Sequence, residues 1–284
     1  MTDLPIVDTH MHLWDPDRIS YPWLGDNALL SRPYLPNDYR AACGEHAVEK
    51  MVFVECGCDE SQIVDEASWI ASLVEQDPRI SGIVAGARVD QGDTWPALLD
   101  SLSQNALVRG VRHNVESEPD PAYCVQPAFI EGVQRLGRYG LSFDICCMHL
   151  QLKNAVKLVQ SCPDVSFILD HIAKPDIAAG LLDPWRADMQ SMAQLPNVVC
   201  KVSGIITEAD HANWKPSDVR PYIDHVLTTF GFDRVMFGGD WPVVLLAGQL
   251  HQWMTVLKEA VADCSADEQR RLFGENAKTV YRLV

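Results

Sequence analysis

Eight short, β-branched, apolar runs recur along the chain, and most of the gaps between them carry helical spacing. The runs are residues 6–10, 51–55, 83–87, 108–112, 141–145, 166–170, 198–202 and 234–238. In the gap 63–75, Ile63, Ala67, Ile70, Ala71 and Val74 fall on one helical face, and 129–139, 155–159 and 222–230 read the same way. Strand starts lie 25 to 45 residues apart, which fits βα units of about 30 residues. Strand–helix alternation repeated eight times predicts an α/β protein: a (β/α)8 TIM barrel, one domain over residues 1–284. A doubly wound open sheet would want a glycine-rich GxGxxG turn after the first strand, and none is there. No linker, low-complexity segment or block of like charge marks a boundary. Two connections are long, 13–38 after the first strand and 205–219 after the seventh. In a barrel both emerge on the C-terminal face, where loops build the site.

Charge narrows the partners. With 23 basic against 39 acidic residues the net charge is −16, so nucleic acid and anionic membranes would repel the chain. The opening Met1-Thr2-Asp3-Leu4-Pro5 has no basic or apolar signal core, and no apolar run approaches the roughly 18 residues of a membrane span. Nine cysteines, an odd number without CxxC pairs, predict free, mostly buried thiols in a reducing cytoplasm. A small-molecule substrate is expected; oligomerisation is left open.

Candidate chemistry gathers at strand ends. His10-Met11-His12 closes the first strand, and strand alternation turns both imidazoles to one side, with Asp8 one layer deeper. Two such nitrogens can hold a divalent metal or donate to a developing oxyanion. Asp240 closes the eighth strand in Phe237-Gly238-Gly239-Asp240-Trp241-Pro242, where two glycines bring the backbone close. A carboxylate there reads as catalytic, or as the cap of the next helix. His171 ends the sixth strand at the same rim, followed by Lys174, a contact for a substrate oxygen or a solvated loop residue. Arg112 and His113 end the fourth strand; the arginine suits a substrate carboxylate or carbonyl, or a salt bridge within the rim. Glu55 and His149 are further candidates for a metal ligand or a rim hydrogen bond. Trp14, Trp23, Trp214 and Trp241 fall in mouth loops, where they stack on a sugar ring or pack in the core. Cys56, Cys58, Cys146 and Cys147 read as core thiols rather than nucleophiles.

These residues carry a resemblance. Val7-Asp8-Thr9-His10-Met11-His12-Leu13-Trp14-Asp15-Pro16, Tyr21-Pro22-Trp23-Leu24, Val108-Arg109-Gly110-Val111-Arg112-His113, Leu169-Asp170-His171-Ile172-Ala173-Lys174-Pro175 and Lys201-Val202-Ser203-Gly204 are matching segments. So are Thr207-Glu208-Ala209-Asp210, Phe237-Gly238-Gly239-Asp240-Trp241-Pro242 and Leu272-Phe273-Gly274-Glu275-Asn276-Ala277. The chain resembles the amidohydrolase superfamily of TIM-barrel metal-dependent hydrolases, in its amidohydrolase-2 branch, from residue 6 to nearly the end. The WDP, YPWL and GDWP segments resemble those of L-fucono- and L-rhamnono-lactone hydrolases. The resemblance implies a site made of His10, His12, His171 and Asp240, with Asp240 as general base. It also implies either a metal, for which His10, His12 and Asp240 are the candidate ligands, or a reaction that needs no metal; Glu55 stays a weaker candidate ligand on its position alone. Two-metal relatives bridge their ions with a carboxylated lysine on strand four; residues 108–114 contain no lysine, so one divalent ion, zinc or manganese, or none is expected. Strand five offers no imidazole within 143–148; His149 lies just past it.

The expected reaction is hydrolysis of a sugar lactone to its aldonic acid, with water activated by Asp240 and the oxyanion held by His12 and His171 or by the metal. Arg112, His113, Lys174 and the tryptophans Trp14, Trp23 and Trp214 are expected to orient the polyol. Metal-dependent decarboxylation, with Arg112 as a carboxylate clamp, is the alternative. A catalytically silent binding barrel is the third reading.

Overall fold

Each of the eight sequence runs forms a strand, and all eight join one parallel sheet in the order of the chain. The computed structural model describes residues 4–283. Met1, Thr2 and Asp3, which open the segment read as lacking a signal core, and Val284 lie outside the described residues. The strands are β1 (Ile6–Met11), β2 (Val48–Val54), β3 (Ile80–Gly86), β4 (Val108–Asn114), β5 (Ser142–Cys146), β6 (Phe167–Leu169), β7 (Val198–Ser203) and β8 (Val235–Gly238). A helix follows each in turn: α1 (Pro36–Ala42), α2 (Ile63–Ser72), α3 (Trp95–Ser103), α4 (Pro127–Gln134), α5 (Leu152–Ser161), α6 (Trp185–Ala193), α7 (Pro216–Phe230) and α8 (Leu250–Ala260). Two short helices, α9 (Ala266–Arg270) and α10 (Asn276–Val280), complete the chain, and the fold is a single-domain (β/α)8 TIM barrel.

The barrel closes between β1 and β8. Asp240 N donates to His10 O at 2.6 Å, and His12 N donates to Trp241 O at 2.8 Å. This approach depends on the paired glycines: a Cβ at Gly238 would stand 2.8 Å from His10 Cβ and 2.6 Å from Ser203 Cβ. Val7, Val52, Val54, Val84, Ile168 and Met236 fill the barrel interior, closed from below by Tyr281 and Leu283. A larger apolar layer separates barrel from helices. No helix among the described residues is long and apolar enough to cross a membrane. All nine cysteines are free thiols, seven of them buried.

Two details depart from the sequence expectation. The connection after β1 ends at residue 35, because Pro36 starts α1 at its first turn and Asp38 Oδ2 accepts from Leu35 N at 2.9 Å. Asp8 does not share a face with His10 and His12. The β1–β2 register is irregular between Asp8/Met51 and Met11/Phe53, setting three steps of β1 against two of β2. The bulge resets the alternation. It leaves Asp8 pointing to α1, where Oδ2 accepts from Tyr39 Oη at 2.7 Å and Oδ1 from Gly239 N at 2.8 Å.

Candidate active site

The C-terminal ends of the strands surround a cavity of about 460 Å³. His12, His171, Asp240, Arg112, Lys174, Trp14 and Trp23 line it. Asp240 Oδ1 lies 3.4 Å from His12 Nε2 and 3.9 Å from both His10 Nε2 and His171 Nε2. All four side chains are nearly or fully buried.

Their orientation follows from what holds the other side of each ring. His12 Nδ1 stands 2.8 Å from the Val54 carbonyl oxygen. A carbonyl can only accept, so Nδ1 donates to it and Nε2 is the nitrogen turned to the site. His10 Nε2 lies 3.3 Å from Arg112 Nη1, and a guanidinium can only donate, so this nitrogen accepts from it. Its Nδ1 faces Asp170 Oδ1 at 3.3 Å. His171 is clamped by Ser203, whose Oγ is 2.9 Å from Nδ1. Burial, with Lys201 and then His12 and Arg112 adding repulsion, holds His10 well below the ordinary imidazole range. Burial does the same to His171 against the pull of Asp240. At Asp240, burial opposes ionisation, but the imidazoles of His171 and His12 outweigh it and keep the carboxyl below its usual range.

The backbone aims these groups at some cost. His171, Ile172, Ala173 and Lys174 have φ of 50°, 49°, 59° and 44°, a left-handed turn that carries His171 and Lys174 to the cavity. Each such residue costs roughly 1–2 kcal/mol. Trp185 Nε1 donating to Ile172 O at 2.7 Å and His149 Nδ1 donating to Lys174 O at 2.9 Å brace the turn. His149 therefore serves as a rim hydrogen-bond donor. Asp240 is also left-handed, at φ 56°. A Cβ at Gly204 would reach within 2.8 Å of its Cγ, so that glycine leaves the space the carboxylate occupies.

His10 Nε2, His12 Nε2 and Asp240 Oδ1 form a group that could hold a metal ion. Donor atoms on a tetrahedral ion with bonds near 2.1 Å stand about 3.4 Å apart, so the separations suit such an ion with small adjustment. His10, Asp170 and His171 make an overlapping group, but Lys201 and Arg112 already engage Asp170.

Below the cavity lies a buried charge network that sequence reasoning did not place. Lys201 Nζ meets Asp144 Oδ2 at 2.6 Å, Asp170 Oδ1 at 3.0 Å and His10 Nδ1 at 3.4 Å. Arg112 Nε donates to Glu55 Oε1 at 2.6 Å, and its Nη2 donates to the Glu55 carbonyl at 2.7 Å. Glu55 thus holds Arg112, and Arg112 holds His10. A signal was available: a lysine inside the apolar strand run Val198-Val199-Cys200-Lys201-Val202 needs buried partners.

Other sequence candidates separate. Arg112 points inward but its neighbour His113 points outward, packing on Phe129 at 5.0 Å between ring centroids and meeting Glu118 Oε1 at 2.9 Å. His113 is not part of the cavity wall. Trp214 also lies off the wall, with Nε1 donating to Ala247 O at 2.7 Å, and Trp241 packs edge-on against Tyr34 and Tyr39. Trp23 stands at the mouth, 47% exposed, with its Nε1 donating to Cys56 O. Burial pushes the Cys56 and Cys146 thiols well up, which removes the thiolate a nucleophile needs.

Behind Glu55, Glu66 of α2 is buried and accepts from Cys56 N at 3.3 Å. Burial, then repulsion from Glu55, raises its carboxyl to about 8. Its proton is held more tightly in the folded than in the unfolded state. Stability from this group is therefore complete below the unfolded value of 4.5 and is lost as pH rises to 8. Each tenfold difference in proton affinity between the two states is worth about 1.4 kcal/mol. Glu66→Gln keeps the acceptor and removes the titration. Urea melts should show the variant gaining several kcal/mol over the parent at pH 8.5 and little at pH 5; equal gains at both would contradict this.

The family model Amidohydro_2, described as amidohydrolase, matches residues 7–283. The chain is similar to the L-fucono-1,5-lactonase of Burkholderia multivorans, 30% identical over 98% of this chain and 96% of that one. It is also similar to the 4-sulfomuconolactone hydrolase of Rhizobium radiobacter, 26% identical over 83% of this chain and 75% of the other. A zinc-bound amidohydrolase crystal structure from Burkholderia multivorans superposes with a TM-score of 0.88 at 29% identity, covering 99% of this chain and 100% of that one.

Proposed function

The chain belongs to the amidohydrolase family, and from that premise we propose that it opens a sugar lactone, of the L-fucono- or L-rhamnono-lactone kind, to the aldonic acid. The observation that carries this reading is the convergence of Asp240 with His12 on the cavity wall and with His10 buried just behind it. A lactone carbonyl is already electrophilic. Its hydrolysis needs an activated water and a stabilised oxyanion, and no covalent intermediate on the protein. Asp240, ionised at neutral pH, takes a proton from the attacking water and returns it to the ring oxygen as the C–O bond breaks. His10, His12 and Asp240 hold one divalent ion, zinc or manganese. When bound, that ion supplies Lewis-acid stabilisation of the developing negative charge. His12 Nδ1 is committed to Val54 O, so Nε2 is the atom it turns to the reacting group. Trp23, with Trp14 behind it, offers a flat wall for the C–H face of the ring.

Decarboxylation is less well supported. Its carboxylate clamp would be Arg112, whose donors already go to Glu55 and Asp170.

The test is a pH-indicator assay over a panel of aldono-lactones, repeated after chelation and after zinc or manganese is returned. Ring opening is expected, at least a hundredfold slower after chelation and restored by metal. Acid release from no lactone, or release of CO2 instead, would overturn the reading.

A further inference from the structure

Three charged side chains that are not part of the catalytic group also line the cavity. Glu116 follows β4, Lys174 follows β6 and Glu208 follows β7. Lys174 Nζ is ion-paired with Glu116 Oε2. Glu208 is near enough to bear on the same ammonium, and its Oε1 lies 3.4 Å from Thr207 Oγ1. The lining otherwise holds one strong cation, Arg112, and that is engaged by Glu55 and Asp170. Among the described residues of the wall, therefore, no lysine or arginine is left over for an anionic substituent, while two carboxylates face the space.

We propose that Glu116, Lys174 and Glu208 form the specificity subsite that binds neighbouring hydroxyls of the substrate and rejects lactones bearing a carboxylate or sulfonate. The proposal rests on the lactonase reading and deepens it. Carboxylate oxygens accept from hydroxyl hydrogens, and an ammonium donates to a hydroxyl oxygen. Two acceptors and a donor on one cavity wall therefore match a vicinal diol, whose oxygens both donate and accept. A carboxylate placed there would meet two like charges across a desolvated gap, with the one cation already paired. Specificity thus comes as much from what Glu116 and Glu208 repel as from what they bind.

The experiment compares two probes, L-fucono-1,5-lactone and muconolactone, which carries a carboxymethyl group. The parent enzyme should favour the neutral lactone by at least about a hundredfold in kcat/KM. Glu116→Gln removes the ion pair of Lys174 and leaves Glu208 as the carboxylate nearest in effect on its ammonium. For the neutral lactone this variant should lose about tenfold or more, mainly in KM, as one charge-assisted hydrogen bond is weakened. For muconolactone it should gain about tenfold. Glu208→Gln should shift discrimination in the same direction. Similar parent rates on both probes would overturn the subsite assignment while leaving the lactonase reading intact, and this comparison requires no variant to fold. An unchanged ratio in folded Glu116→Gln and Glu208→Gln would overturn it too. Hydrolysis of neither probe, nor of any aldono-lactone, would overturn the lactonase reading and the subsite with it.

Discussion

Asp240→Asn is expected to leave a folded barrel with kcat reduced at least about a thousandfold, within the range that removal of a general base produces. Asparagine has nearly the same shape, and with aspartate it is among the few residues other than glycine that tolerate the left-handed conformation Asp240 adopts at φ 56°. The backbone link from Asp240 N to His10 O, which helps close the barrel, is independent of the side chain. The substitution removes the negative charge, and with it both the proton acceptor and one of three converging donor atoms. Metal content should fall together with rate. Burial opposes the charge of Asp240, but the imidazoles of His171 and His12 outweigh it, so the ionised group adds to stability at neutral pH, and the metal-free variant should melt somewhat below the metal-free parent. Kinetics, metal analysis and a thermal melt on one preparation separate these effects. An Asn variant keeping more than a tenth of parental kcat would remove Asp240 from the role of base.

Much of this was legible in the chain because period and position carry it. Repeated βα units give the barrel, and His10, His12, His171 and Asp240 are ionisable groups at strand ends, where packing does not ask for charge. What was hidden depended on events between elements. The β1 bulge cannot be read from alternation, so Asp8 was expected on the wrong face. Adjacent strand residues face opposite ways, and the Arg112-His113 pair does not announce which is inside until its register with β5 is known, where Arg112 pairs Asp144 and His113 pairs Ile145. Trp14, Trp23, Trp214 and Trp241 look alike in sequence; loop closure alone decides that two line the cavity and two do not. Glu116 and Glu208 sit in single 3-10 turns, Val115–Ser117 and Ile205–Glu208, too short to show a period, and Lys174 reaches Glu116 from a left-handed turn that no propensity would suggest.

Lys201→Met carries the second large effect, on stability. Lys201 is fully buried, and its ammonium lies between Asp144 at 2.6 Å and Asp170 at 3.0 Å. Arg112 reaches Asp170 at 3.4 Å and Tyr281 Oη donates to Asp144 at 2.8 Å, but neither replaces a charge at that position. Methionine fits the volume and leaves two carboxylates buried with one of their cations gone. Breaking a buried pair from one side typically costs about 3–5 kcal/mol. For a chain of this size that lowers Tm by about 10 °C. The pH dependence gives the cause away. Burial raises Asp144, whereas at Asp170 Lys201, His171 and Arg112 outweigh burial and depress it. Without the lysine both carboxyls move upward, so the variant binds protons more tightly when folded, and its deficit shrinks as pH falls. Lys201→Met with Asp144→Asn should recover part of the loss at pH 8, because one uncompensated charge goes with the cation. If Lys201→Met melts within about 1 kcal/mol of the parent at pH 8, the network does not hold ionised carboxylates, and its account as the charged floor beneath His10 fails.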